Sequence, residues 1–260
     1  MIRYALLGLV QGLTEFLPVS SSGHLVLAER WLGLNPPGVL LEAMLHWGTL
    51  AAILIVFRKD IVALLKSLRG KGSVEQRKEV GFLIAGSVPI VVAVLLFQET
   101  IQAAFSSLLG VGIGLLLTAL VLSLGHVART RVRRRSIRFP DAMVVGLAQA
   151  AAVFPGVSRS GLTISAGTAV GLSAADAVRF SFLLAIPALF GAGLLHLLDA
   201  MSTPGSQSWL GILIGTLCAF VSGWLALRAV LRLVQRGRFW VFAVYCFLVG
   251  AGTIVWSIMQ

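Results

Sequence analysis

The sequence predicts an all-α polytopic membrane protein, an inverted-topology repeat with about six spanning helices and two re-entrant helical hairpins. Three observations support this fold class. Hydrophobic residues make up 58% of the 260 residues and charged residues only 12%, and the mean hydropathy is +0.95. Apolar runs near the length that crosses a bilayer, about 20 residues, recur along the chain. A polar pattern broken by glycine and proline occurs once in each half.

Six segments are long and apolar enough to span a membrane. They are residues 39–57, 81–97, 108–127, 180–198, 209–227 and 239–259. Two further apolar regions, 4–34 and 141–174, are each interrupted near the middle by a run that contains proline, serine and glycine. Each half of these regions has about a dozen residues, too few to cross the hydrocarbon core. Both are therefore predicted to be re-entrant hairpins, whose irregular backbone must be buried in protein or line a wet cavity.

The two broken regions are copies of one pattern. Residues 8–23 read GLVQGLTEFLPVSSSG, and residues 146–161 read GLAQAAAVFPGVSRSG. They align without a gap at an offset of 138, and eight of the aligned positions are identical. Paired broken segments in the two halves of a membrane protein indicate a binding site where the halves meet.

The positive charge is concentrated in three short stretches. The net charge is +11, and 17 of the 21 lysines and arginines lie in residues 58–78, 129–138 and 228–238. Short basic loops mark the cytoplasmic side of a membrane protein. The charge is therefore interpreted as a topology signal with an attraction to anionic lipids, and it does not indicate nucleic-acid binding.

This charge pattern also orients the repeat. With the three basic stretches inside, three spans separate the two hairpins, so the first enters from outside and the second from inside. The predicted domains are a first inverted repeat over 1–128, a basic cytoplasmic linker over 129–140, and a second inverted repeat over 141–260. The C-terminus is predicted to lie outside.

Three ionisable residues, Glu15, His24 and Arg159, fall at membrane depth in the hairpins. A charged group at the centre of a bilayer costs about 2.5–3.5 kcal/mol on insertion scales. Such groups need a wet cavity, mutual pairing or a charged ligand. One interpretation is a buried Glu15–Arg159 pair that fixes the two hairpins to each other. The other is a binding site, which the surrounding serines and glycines favour.

The first hairpin carries the residue types of a phosphate site. Gln11 and Glu15 are spaced i, i+4 and face the same way on a helix, where they can hold a divalent cation or orient water. The run Ser20, Ser21, Ser22 opens the next half-helix, so its hydroxyls and N–H groups form either an anion cradle or helix caps. His24 follows Ser21 by three residues, within reach as a general acid or base.

The second hairpin adds a guanidinium. In the alignment Ser21 corresponds to Arg159, and arginine binds phosphate oxygens in bidentate fashion. Ser158, Ser160 and Thr163 can supply further donors. The two hairpins are therefore predicted to hold an anionic, phosphate-bearing ligand between them.

Two stretches, QGLTEFLPVSSSGHLVL and PGVSRSGLT, resemble the undecaprenyl-diphosphatase family, also called the bacitracin-resistance family. The family motifs are (E/Q)xxxE, a P-x-S-S-[ST]-G-H run and PGxSRSxxT. The resemblance covers both halves and implies a multi-pass enzyme of the bacterial inner membrane that removes the terminal phosphate of undecaprenyl diphosphate. It also implies recycling of the lipid carrier of peptidoglycan synthesis, a divalent cation such as Mg²⁺ or Ca²⁺ as cofactor, and an active site toward the periplasmic side.

The resemblance assigns roles residue by residue. Gln11 and Glu15 match the (E/Q)xxxE positions expected to bind the metal, Ser21 the candidate nucleophile, and His24 the histidine. Arg159 matches the arginine that binds phosphate. The flanking polar positions expected to contact phosphate are Ser20, Ser22, Ser158, Ser160 and Thr163. Glutamine at position 11 leaves Glu15 as the one carboxylate of the motif.

Two other function classes stay open at this point. A transporter or flippase of prenyl phosphates would also use inverted repeats with broken helices. A structural membrane scaffold would give no reason for the serine, histidine and arginine pattern. The expected partners are the undecaprenyl diphosphate lipid and membrane lipids. The oligomeric state is open, with a homodimer as one option, and attack by Ser21 or by water is equally open.

Overall fold

The computed structural model describes residues 1–33, 39–128, 136–202, 208–235 and 239–260. Eleven α-helices and no strand occur in these ranges, so the all-helical prediction is confirmed. The helices are α1 (Ile2–Phe16), α2 (Ser21–Trp31), α3 (Val39–Val56), α4 (Arg58–Leu68), α5 (Val74–Phe105), α6 (Leu108–Ala128), α7 (Phe139–Ala151), α8 (Arg159–Ala169), α9 (Ala174–Ser202), α10 (Trp209–Gln235) and α11 (Trp240–Met259).

The membrane-spanning prediction agrees with these helices. Five of them are long and apolar enough to cross a membrane by themselves, namely α5, α6, α9, α10 and α11. A sixth candidate is α3 together with α4, which bends by 77° at the break between them. Each of the six predicted spans falls on one of these helices, so the protein is a multi-pass membrane protein.

Several helices extend past the predicted spans, because an apolar window detects only the part of a helix that lies in hydrocarbon. Helix α5 begins at Val74 and α10 continues to Gln235, so parts of the first and the third basic stretches are helical. The predicted linker over 129–140 is shorter than expected, since Phe139 already begins α7. Most of that linker, residues 129–135, lies outside the described residues, as do residues 236–238 of the third basic stretch.

Helix α4 replaces the first half of a predicted loop. Its charged residues include Arg58, Lys59 and Lys66, whereas Leu65 and Leu68 are more than half exposed on the outside of the bundle. A basic amphipathic helix that turns sharply away from a span is typical of a segment lying in the membrane interface. The sequence pattern did not predict it, because the charges of this segment outweigh its short apolar stripe.

Both broken regions form two short helices with an irregular link. Helix α1 ends at Phe16, and Ser20 caps α2 by accepting a hydrogen bond from the Gly23 N–H at 3.3 Å. In the second copy Ser158 caps α8 by accepting from the Gly161 N–H at 3.1 Å. The aligned serines and glycines therefore build the same cap twice, which reflects the strong preference of serine for the N-cap position.

The packing of the helices exchanges partners between the halves. Helix α1 packs against α10, and its counterpart α7 packs against α5. An added Cβ on Gly8 would lie 2.1 Å from the Gly215 carbonyl oxygen, and one on Gly146 would lie 2.4 Å from the Gly86 carbonyl oxygen. Aligned glycines thus permit the same close helix contact in both halves. Helices α6 and α11 pack together, as do α3 and α9.

Candidate active site

The carboxylate of Glu15 is the centre of a buried polar cluster. Its Oε2 accepts hydrogen bonds from Ser21 Oγ at 2.6 Å and from Gln11 Nε2 at 3.0 Å. Its Oε1 forms an ion pair with Nη2 of Arg159. Glu15 is 7% exposed and Gln11 is fully buried. The structure therefore brings together four of the residues that the sequence singled out, three from the first hairpin and Arg159 from the second.

Helix geometry explains why these side chains meet. Gln11 and Glu15 lie one turn apart on the last part of α1, with Glu15 just before the break. Ser21 is the first residue of α2, and Arg159 is the first residue of α8. Two helix N-termini thus converge on one point. The first N–H groups of a helix have no intrahelical acceptor, and the helix dipole adds partial positive charge there, so the cluster favours an anion.

The two hairpins cross at their broken links. Ser160 Oγ donates to the carbonyl of Leu17 at 3.2 Å. A Cβ on Gly23 would lie 3.0 Å from Cα of Gly156, so the two backbones are in direct contact there. Helix α6 holds the second link, since Thr118 Oγ1 donates to the Gly156 carbonyl and accepts from the Ser158 N–H, both at 2.9 Å. The crossing fixes Arg159 beside Glu15.

The flanking serines and the threonine mainly hold the backbone. Ser20 and Ser158 are helix N-caps. The Oγ atoms of Ser20 and Ser22 lie 3.3 Å apart, and so do those of Ser158 and Ser160. Thr163 is fully buried and hydrogen-bonds the Arg159 carbonyl at 2.7 Å and Ser181 Oγ at 2.6 Å. These hydrogen bonds give each of the residues a role in shaping the helix ends. They do not test the predicted contacts with phosphate, which stay a prediction.

Ser20 has a strained backbone. Its φ is +70°, and it is the one residue other than glycine with positive φ among those the structure describes. Such a conformation costs about 1–3 kcal/mol and persists where the surrounding structure imposes it, often at functional sites. The strain lies directly before Ser21, where it turns the chain so that the hydroxyl of Ser21 meets Glu15.

His24 has different partners from those the sequence suggested. Its Nδ1 lies 2.8 Å from the Ser20 carbonyl oxygen, and its Nε2 lies 2.8 Å from Tyr245 Oη. The two rings are stacked, with centroids 5.6 Å apart. A carbonyl can only accept, so Nδ1 carries a proton and Nε2 is the basic nitrogen. The hydroxyl of Ser21 points to Glu15, and no described hydrogen bond joins it to His24.

Two atoms of the cluster have no hydrogen-bond partner within the described residues. They are the acceptor Oε1 of Gln11 and the donor Nη1 of Arg159, and both are buried. A buried polar atom normally has a partner, and leaving it unpaired costs about 1–3 kcal/mol. One free donor and one free acceptor flank Glu15, which suits a ligand that contains both anionic oxygens and a cation.

The residues present can hold a divalent metal only in part. No group of three histidine, cysteine, aspartate or glutamate side chains close enough to hold a metal ion occurs in the described part of the chain. Magnesium, however, is commonly bound by one or two carboxylates together with phosphate oxygens of a substrate. The Glu15 carboxylate and the unpaired amide oxygen of Gln11 fit such a partial set of hard oxygen ligands.

Three buried or hydrogen-bonded polar residues were missed by the sequence analysis. Tyr245 and Thr118 lie in apolar spans far along the chain from their partners, and their patterns there indicate only membrane helices. Gln149 aligns with Gln11, is fully buried, and has neither amide atom bonded within the described residues. Its identity to Gln11 in the repeat was the one signal available.

Comparison with known proteins agrees with the motifs. The family described as bacitracin resistance protein BacA matches residues 4–252. The undecaprenyl-diphosphatase of Desulfosudis oleivorans is 43% identical over 274 residues, covering 100% of this chain and 99% of its own. That of Halothermothrix orenii is 39% identical over 257 residues, covering 98% and 97%. Undecaprenyl-diphosphatase 1 of Bacillus licheniformis is 36% identical over 267 residues, covering 99% and 98%. The resemblance seen in the sequence is confirmed, and the chain belongs to the BacA family of bacitracin resistance proteins.

Proposed function

We propose that this protein is an integral membrane phosphatase that hydrolyses undecaprenyl diphosphate to undecaprenyl phosphate and inorganic phosphate. This reaction recycles the lipid carrier of cell-wall synthesis. The names of the relatives support the reaction and its lipid substrate. The observation that carries the proposal is the hydrogen bond from Ser21 to Glu15 beside Arg159, because it joins a nucleophile, a base and a phosphate-binding group.

The diphosphate binds at the crossing of the hairpins. Arg159 presents the unpaired Nη1 to a phosphate oxygen, and a guanidinium matches phosphate geometry well. The N–H groups at the starts of α2 and α8 add donors that carry partial positive charge. Binding of a dianionic phosphate next to Glu15 is tolerable because the arginine and both helix ends offset the repulsion.

Ser21 is the proposed nucleophile. Its Oγ forms a bond to the terminal phosphorus while the bond from that phosphorus to the bridging oxygen breaks, and undecaprenyl phosphate leaves. The hydroxyl proton passes along the 2.6 Å hydrogen bond to Glu15. Water then cleaves the phosphoserine and releases phosphate. His24 is the second proton-transfer group, since Nε2 is its basic nitrogen.

A divalent cation completes the proposed site. Glu15 and Gln11 would hold Mg²⁺ or Ca²⁺ together with oxygens of the diphosphate. When bound, the cation offsets the negative charge that develops on the phosphate oxygens. The site is proposed to face the periplasmic side of the bacterial inner membrane, and the halves 1–128 and 141–260 are proposed to be inverted relative to each other.

Phosphate release from purified protein tests the function. The detergent-solubilised protein is incubated with undecaprenyl diphosphate, and inorganic phosphate is measured. We expect release that a chelator abolishes and that added Mg²⁺ or Ca²⁺ restores. A transporter or flippase of prenyl phosphates would release none. Full activity after thorough chelation would remove the cation from the proposal and leave the hydrolysis standing.

Substitution of Ser21 distinguishes its attack from attack by water. Ser21→Ala removes the hydroxyl with little steric change. If Ser21 is the nucleophile, turnover is lost while the lipid diphosphate still binds. If water attacks and Ser21 only donates a hydrogen bond, the loss is about 1–3 kcal/mol, and turnover remains measurable. Ser123→Ala is a matched control, because Ser123 donates only to a carbonyl within its own helix, that of Ala119.

A further inference from the structure

A groove of about 420 Å³ begins at His24 and opens on the surface of the helix bundle. Its two main walls are helices α2 and α11. The α2 wall contains Leu27 and Trp31, and the α11 wall contains Val249 and Trp256. The volume is within the range of ligand pockets in proteins, about 300–1,000 Å³.

The wall residues form one continuous stripe on each helix. On α2 they are residues 24, 27, 28 and 31, and on α11 they are residues 249, 252, 253 and 256. Both sets are spaced i, i+3, i+4, i+7, so each lies on one helix face. The α2 stripe is about 10 Å long at about 1.5 Å per residue. It starts one turn after Ser21, and Tyr245 lies one turn before the α11 stripe.

The lining suits a hydrocarbon ligand. Most of its side chains are apolar, and its histidine and its threonine are already hydrogen-bonded. Both ring nitrogens of His24 are hydrogen-bonded, one to the Ser20 carbonyl oxygen and the other to the Tyr245 hydroxyl. Thr253 donates to the carbonyl of Val249 in its own helix at 2.8 Å. Apart from the indole N–H groups of Trp31 and Trp256, the lining has no further polar side chain for a ligand with hydrogen-bonding groups, whereas a hydrocarbon chain needs none.

We propose that this groove binds the part of the substrate's polyprenyl chain that is nearest to the diphosphate. This inference rests on the proposed function. The groove starts beside the residues that flank Ser21, so a diphosphate bound at Glu15 and Arg159 has its lipid chain at the mouth of the groove. A length of about 10 Å accommodates only the first isoprene units. The rest of the chain lies in the bilayer.

Gly252 permits a direct test. It lies in the α11 wall, and a Cβ added to it would meet no atom within 4 Å. The side chain of Gly252→Leu therefore starts in open space and extends into the groove. We expect at least a tenfold increase in KM for undecaprenyl diphosphate with little change in kcat, since one extra methylene in a hydrophobic pocket already discriminates about 10–200-fold. The loss of kcat/KM for methyl diphosphate, which has no isoprene unit, should be less than twofold.

Gly191→Leu is the matched control. Gly191 lies in α9, outside the groove, and its added Cβ also meets no atom within 4 Å. Both variants gain the same helix propensity, and both are checked for a monodisperse profile in detergent. Gly252→Ala should give a smaller increase in KM than Gly252→Leu if the groove is occupied by the substrate chain.

Two outcomes would overturn the inference. Unchanged KM for undecaprenyl diphosphate in Gly252→Leu would mean that the groove holds only bulk lipid. Equal losses with undecaprenyl diphosphate and methyl diphosphate would mean that the leucine disturbs the phosphate site instead. If neither the unmodified protein nor Gly191→Leu releases phosphate, the proposed function has failed, which is a different result.

Discussion

The carboxylate of Glu15 has partners from three helices: Gln11 in its own helix α1, Ser21 in α2 and Arg159 in α8. A buried ion pair alone is weak support for stability, because desolvation of both charges offsets much of their attraction. If this pair only fastened the hairpins, Nη1 of Arg159 and Oε1 of Gln11 would stay unpaired at a cost of about 1–3 kcal/mol each. These two atoms therefore favour a ligand site over a purely structural pair.

Tyr245 is expected to position His24. Its hydroxyl bonds the basic nitrogen of the ring at 2.8 Å, and its ring stacks on the imidazole. Tyr245→Phe keeps the stacking and removes one hydrogen bond, worth about 0.5–1.5 kcal/mol. We expect kcat for undecaprenyl diphosphate to fall about 2- to 12-fold, with KM unchanged, in a phosphate-release assay.

A double-mutant cycle separates positioning from a general structural effect. In a His24→Ala background, Tyr245→Phe should cause no further loss, because the group it positions is gone. Additive losses would show that Tyr245 does not act through His24. Tyr4→Phe is the control, since Tyr4 is the other tyrosine of the chain and packs against Gly211 in α10.

Prediction from sequence succeeded for residues within a motif and failed for residues that join distant segments. The alignment of the two copies set Ser21 opposite Arg159, and both do bind Glu15. Tyr245 lies 221 positions after His24, in a span where an aromatic residue is ordinary. Nothing local identifies its partner, because only the packing of both α2 and α11 against α6 brings the two together.

At the level of helices, the breaks were more predictable than the ends. Proline, glycine and serine mark where a helix stops, and both predicted hairpins are broken at the expected runs. Helix ends beyond the hydrocarbon leave little signal, because polar helix and polar loop have similar composition. Helix α4 and the C-terminal part of α10 were therefore predicted as loop.

Gly156 is expected to be essential for the second hairpin. Its φ is +88°, a conformation that costs an ordinary residue about 1–2 kcal/mol. An added Cβ would also lie 2.2 Å from the carbonyl oxygen of Val111 in α6. Gly156→Ala should therefore destabilise the protein by at least about 2 kcal/mol, since strain and overpacking add. Thermal unfolding in detergent, followed by circular dichroism, measures the effect.

Gly81→Ala is the matched control for that substitution. Gly81 lies in α5 with ordinary helical backbone, and its added Cβ meets no atom within 4 Å. Alanine has a higher helix propensity than glycine, by up to about 1 kcal/mol, so this variant should unfold at the same or a higher temperature. A melting temperature for Gly156→Ala equal to that of the unmodified protein would contradict the role assigned to this glycine.

In the whole molecule, polar contacts gather the helix ends into two groups. At one end Arg179 of α9 forms ion pairs with Asp60 of α4 and Glu79 of α5. At the other end Arg30 donates to Gln260 at 3.1 Å and to the Ser106 carbonyl at 3.1 Å. The first group consists of ends that the charge pattern assigns to the cytoplasm, and the second of ends that it assigns to the outside. Contacts and charge pattern therefore agree on which ends belong together.

The side of the membrane on which each group lies is a prediction that cysteine labelling tests. The two natural cysteines, Cys218 and Cys246, are first replaced by alanine. Single cysteines are then introduced at Ser136, next to the arginine-rich stretch, and at Gln260. Because short basic loops stay in the cytoplasm, Ser136→Cys should react with a membrane-impermeant maleimide only after the cells are opened, and Gln260→Cys should react in intact cells.

Both variants must retain phosphate release, so that labelling reports the native arrangement. Labelling of Ser136→Cys but not of Gln260→Cys in intact cells would reverse the predicted orientation and leave the repeat inverted. Labelling of both from one side would mean that an even number of spans, and not the predicted three, separates the two positions. The second result would contradict the inverted relation between the two repeats, which requires the same odd number of spans in each. It would also remove the explanation of why the hairpins that carry Ser21 and Arg159 enter from opposite faces of the membrane.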